Sequence, residues 1–232
     1  MTHPARSGAS LASPALALLL MAGCSDASSA GEAEQAAHAA SFAAAFESGF
    51  DAGLDSGPDA TGLPFERAPA RTSEVEAMVA DNLADNFSFR FAMAEPESFI
   101  RSGQVRDVYR RELAARNLPG DTLAGATALM FGVAWEVANG RRLSSSDNAA
   151  ILRQAAAMLR ADPLEQQGDD ARQAQADTAL TIAGLWLEEA DLRRDLPDRA
   201  RELSDAVNRD MARMSGTDMR SRAIAAEGFV AR

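Results

Sequence analysis

The chain contains no lysine, and all 23 of its basic side chains are arginine. Schiff-base chemistry and a P-loop both need a lysine amine and are excluded. Cysteine occurs once, at Cys24, so a disulfide framework is impossible. The two histidines, His3 and His38, both lie early in the chain. Beyond them there is no histidine for a Ser-His-Asp site, a HExxH zinc site or the Glu-x-x-His pairs of di-iron bundles. Any catalysis there would rest on carboxylates, hydroxyls, arginine or the single tyrosine, Tyr109. No metal ligand set and no cofactor is expected. Acids outnumber arginines by 34 to 23, and phosphate neutralisation needs clustered positive charge, so no nucleic-acid partner is expected.

Long hydrophobic runs are also missing. Residues 11–22 are apolar apart from Ser13, preceded by Arg6 and followed by Met21-Ala22-Gly23-Cys24. A run of about a dozen residues suits a signal-peptide core and is too short to span about 30 Å of hydrocarbon. The stretch resembles the lipobox of bacterial lipoproteins, with Met21 where that pattern usually has leucine. Small residues before the cut let extended backbone enter a peptidase, and the thiol is the nucleophile for acyl transfer. The resemblance implies a signal peptide over 1–23 and acylation of Cys24, with membrane lipid as its partner. Each buried CH₂ of an acyl chain contributes about 0.8 kcal/mol to anchoring. Two other readings stay open: ordinary cleavage after Ala30, which discards the cysteine, and a plain structural cysteine. In lipoproteins an aspartate after the cysteine favours the inner membrane. Here Ser25 follows, which implies the outer membrane, with the protein facing the periplasm.

The acids are uneven. Residues 25–66 hold eight acids and no arginine, whereas residues 67–232 hold 26 acids and 22 arginines. Residues 24–71 read as an acidic tether. Its Ala-rich part, about 31–50, is predicted helical, with Phe42, Phe46 and Phe50 on one stripe. The Gly- and Pro-rich stretch up to residue 71 reads as linker, and the domain is placed over 72–232.

Within that domain the pattern predicts an all-α fold, a compact bundle of about six helices. Ser73-Glu74-Val75-Glu76 reads as a capping box opening the first, to about Asp85. "FSFRF" (87–91) reads as extended chain placing phenylalanines on the core. Pro96 starts the second helix, which runs to Asn117 with a break point at Gly103. Asp121 caps the third, "TLAGATALMFGVAWEVAN", which is apolar nearly all round and ends at Gly140. It is therefore the central buried helix. Ser146-Asp147 caps the fourth and Asp169 or Asp170 the fifth. Pro197 starts the sixth, which stops at Gly216. The last residues read as a docked tail.

The segments "LAARNLPGDTLAGATALMFGVAWEVANG", "LRQAAAML", "DDARQAQADTALTIAGLWL" and the terminal "EGF" resemble an uncharacterised family of bacterial secreted or envelope proteins. The resemblance covers about residues 113–230. It implies a helical envelope domain and no activity.

Glu136 is the candidate catalytic residue, the one ionisable group between Asp121 and Arg141. A desolvated carboxylate there would act as a general acid, whereas near the helix end it would reach solvent or an arginine. Glu188, Glu189 and Asp191 read as surface pairing partners, with Arg193 four past Glu189. Arg101, Arg106, Arg110, Arg111 and Arg116, interleaved with acids, read as a solvated face. Trp135 and Trp186 read as core or groove aromatics, and Arg172, Gln173 and Asp177 as a polar inter-helix contact rather than a ligand site. The function expected is a non-enzymatic interaction or accessory module of the envelope with a protein partner. The alternatives are a carboxylate-dependent hydrolase of wall glycan and a small-ligand binding module.

Overall fold

The computed structural model describes residues 62–160 and 168–232. Cys24, His38 and the phenylalanine stripe at 42, 46 and 50 lie outside them. The fold is all-α, with eight helices among the described residues. They are α1 (Pro69–Asp81), α2 (Leu83–Asn86), α3 (Pro96–Arg101), α4 (Gln104–Arg116), α5 (Leu123–Asn139), α6 (Ser145–Arg160), α7 (Asp169–Leu192) and α8 (Pro197–Ser215). A 3-10 turn (Met219–Ser221) and a hairpin of β1 (Arg222–Ala225) and β2 (Gly228–Ala231) complete the chain.

α5 is the centre. Every residue from Leu123 to Glu136 is buried, because α6, α7, α8 and the 3-10 turn all pack on it. α7 is the second inner helix, with α1 and α4 on its far side. Trp135 and Trp186 are both core, at 1% and 0% exposure. Phe87, Phe89 and Phe91 cluster edge to face, and Phe87 also meets Trp186, so the "FSFRF" stretch does deliver its rings to the core. Gly125 permits the tight entry to α5, since a Cβ there would overlap the Pro119 carbonyl oxygen.

Several boundaries differ from the sequence reading. The first helix begins at Pro69, and Ser73 lies inside it, donating back to the Pro69 carbonyl. Proline in a first turn was the stronger start signal. The packed chain likewise begins before Thr72. Leu63 and Phe65 are buried, and the Leu123 amide donates to the Leu63 carbonyl at 3.1 Å. Thr122 rather than Asp121 caps α5, accepting from the Gly125 amide at 3.0 Å, because the Asp121 carboxylate is taken by Arg67. α6 is capped by Ser144, whose hydroxyl accepts from the Asp147 amide while Asp147 accepts from the Ser144 amide. Gly168 occupies the cap of α7, and Asp169 reaches the Glu66 amide instead.

The tail is a hairpin, paired Arg222↔Ala231, Ala223↔Val230, Ile224↔Phe229 and Ala225↔Gly228. Two side chains fasten it. The Gln154 amide donates to the Phe229 carbonyl (3.1 Å) and accepts from the Phe229 amide (2.8 Å), imitating a third strand. The Trp135 indole donates to the Arg222 carbonyl at 2.9 Å.

Candidate functional site

A cleft of about 860 Å³ opens where the C-terminal end of α5 meets α4, the second half of α7 and the start of α8. The placement follows from local sequence. Gly140 adopts φ 63° and ends α5, so Arg141 and Arg142 turn back along the helix they have just left. Val108, Val137, Leu187, Ala190, Ala200 and Leu203 supply apolar lining, and eight charged side chains line the rest.

Glu136 sits in this cleft at 6% exposure. Its Oε1 accepts from Arg116 Nη1 at 2.9 Å and the Leu143 amide at 2.8 Å. Its Oε2 accepts from Arg116 Nη2 and Arg142 Nη1, each at 3.0 Å. Two donors per oxygen fill the acceptor capacity of a carboxylate. Arg116, itself buried, also holds Glu112 through Nη2 at 2.8 Å and Nε at 3.0 Å. Burial works against the Arg116 charge. The hydrogen bonds to Glu136, with the attraction of Glu136 and Glu112, outweigh it and hold the guanidinium pKa above its ordinary value. Glu136 therefore reaches an arginine near the helix end, and its role is to tie α4, α5 and the following turn together under the cleft.

The other candidates disperse. Arg101 pairs with Asp81 and Arg106 with Glu76; the expected solvated face holds for exposed Arg101, Arg110 and Arg111, in part for Arg106, and not for buried Arg116. Glu189 is not a surface partner. It is fully buried, accepting from the Ala92 amide (2.9 Å) and Met93 amide (3.0 Å) and pairing with buried Arg193. The i,i+4 spacing announced the pair; its burial comes from the 91–93 loop crossing over it. Gln173 and Asp177 do form an inter-helix contact. Gln173 donates to and accepts from Ala68 backbone at 2.8 Å each, and Asp177 accepts from Thr72 Oγ1 at 2.8 Å and pairs with Arg67. Nothing in the pattern of residues 62–71 showed that Arg67 would be its counter-ion.

Three cleft side chains are left over. Arg111 and Arg141 are exposed, and neither makes an ion pair with a described residue. The Arg141 guanidinium lies over the Trp135 ring, 4.7 Å from its centroid. Glu188 is half-buried and unpaired among the described residues, whereas Asp191 is held by Arg194 and Glu189 by Arg193. Among the described residues no group of three or more His, Cys, Asp and Glu is placed to hold a metal ion. None of their helices is long and apolar enough to cross a membrane. No family model, curated protein or solved structure matches the chain.

Proposed function

We propose that the chain is a lipid-anchored envelope protein that works by binding, with an accessory role beside a periplasmic protein partner. The anchor is an acylated Cys24 in the outer membrane, and the helical domain projects from it on the acidic tether. The observation that carries the binding role is the saturation of Glu136. A general acid needs an oxygen free to hold a proton against the substrate. Here all four acceptor positions are filled by Arg116, Arg142 and the Leu143 amide, beneath a cleft that stays open.

A carboxylate-dependent hydrolase of wall glycan is the second reading. It is favoured by Glu112 and Glu136 sharing one Arg116 nitrogen, at 2.8 and 3.0 Å, since glycosidases act with two carboxyls side by side. Both carboxylates, however, are spent on that guanidinium.

Two measurements test the proposal. Replacing Cys24 with Ala should move the protein from the membrane pellet to the soluble fraction or leave it unprocessed. A fully processed Cys24→Ala protein that still pellets would remove the anchor. The wild type should release nothing from purified wall glycan, and any turnover abolished by Glu136→Gln would put the hydrolase first.

A further inference from the structure

The unpaired charges of the cleft are of both signs and sit on different elements. Arg111 comes from α4, Arg141 from the turn after α5, and Glu188 from α7. Arg141 is the best prepared of the three. A guanidinium uses its face in stacking and keeps its in-plane N–H groups for a planar carboxylate. The ring beneath it is fixed, because Trp135 is 1% exposed and its indole N–H is held by the Arg222 carbonyl at 2.9 Å. Glu188 has the opposite need. Its partly exposed carboxylate makes no ion pair with a described residue, and an ammonium group in the cleft would complement its charge. Apolar side chains from α4, α5, α7 and α8 line the space these charges share.

We propose that this cleft binds a short apolar peptide by both of its free ends, its carboxylate on Arg141 and Arg111 and its ammonium on Glu188. The inference rests on the reading of the chain as a binding module and names the chemistry that module selects. A volume of about 860 Å³ falls in the range of about 300–1,000 Å³ typical of small-molecule sites. That volume suits a peptide of a few residues better than a single amino acid. An anion alone would satisfy the arginines and leave Glu188 uncompensated, and a cation alone would do the reverse.

The test is calorimetric titration of the detergent-solubilised full chain with trialanine, N-acetyl-trialanine and trialanine amide. Trialanine should bind, and blocking either end should weaken it about tenfold, the usual worth of one charge-assisted contact. Glu188→Gln should cost the same factor for trialanine and nothing for the acetylated peptide. Arg141→Gln should cost it for trialanine and nothing for the amide. Neither side chain has an ion-pair partner to lose, so both variants should melt close to the wild type. Equal affinity for all three peptides, or no heat from any at millimolar concentration, overturns the proposal. Acetylated peptide binding as well as trialanine overturns the two-ended recognition and leaves a carboxylate site. Loss of peptide binding with anchoring intact would sink this inference alone, whereas peptide binding by a chain that never pellets would sink the anchor alone.

Discussion

Tyr109 is 2% exposed and its hydroxyl has no hydrogen-bond partner among the described residues. Burial first, and then the charge of Asp177, push its pKa up to about 12. The folded state thus keeps the phenolic proton to higher pH than an unfolded chain, which releases it near pH 10. Stability should be unaffected by this group below about pH 10 and should fall between about pH 10 and 12, by roughly 3 kcal/mol in all. Because the chain has a single tyrosine, ultraviolet absorbance of tyrosinate reports the ionisation directly. Tyr109→Phe should be as stable as the wild type or more so at neutral pH, since it removes an unmet buried hydroxyl. It should also erase that alkaline loss; a variant as alkali-sensitive as the parent would clear Tyr109 of the effect. Glu136→Gln should be costly for a different reason. It leaves Arg116, at 6% exposure, short of half its countercharge. Chemical denaturation should register a loss of about 3 kcal/mol, the scale of a broken buried ion pair.

Helices α5 and α8 were plain in the sequence, because an all-apolar run between a cap and Gly140, and a stripe between Pro197 and Gly216, leave little choice of structure. The start of α1 was not. Ser73 and Glu76 have the spacing of a capping box, but Glu76 is buried against Arg106 in mid-helix, and Pro69 begins the turn. The hairpin was unreadable for a related reason. Its register depends on Gln154, which stands about 75 residues earlier in the chain and at 3% exposure supplies the amide of an absent strand. In the cleft, Glu136 could be singled out as a lone acid in an apolar helix. Its partners Arg116 and Arg142 lie on a separate helix and beyond a turn, and only the fold brings them to it. Replacing Gln154 with Ala would orphan the buried Phe229 amide and carbonyl, at about 1–3 kcal/mol each. Hydrogen exchange should accelerate across residues 222–231 while α5 stays protected. Uniform acceleration would show that hairpin and helix open as one unit. Gly125→Ala drives a methyl into the Pro119 carbonyl and should cost about 1–3 kcal/mol or more in thermal denaturation, since backbone must move to admit it.

Among the described residues, the outer segments close over the core. A chain beginning at Thr72 would lose buried Leu63 and Phe65, each contributing about 1.5–3 kcal/mol. It would also leave Asp177, at 0% exposure, without Arg67, a loss of about 3–5 kcal/mol. Against a typical total of about 5–15 kcal/mol, that truncation should melt far below the full chain or fail to fold, and a start at Gly62 should not. Near-equal melting of the two would show that the 62–71 segment is an ornament on the fold. The same enclosure sets an order of events during synthesis. The Leu63 carbonyl grips the start of α5, and the Arg222 carbonyl receives the indole near its end. A growing chain that has not yet reached Arg222 therefore carries its most apolar helix packed by α6, α7 and α8 but with the indole flank of Trp135 still uncovered.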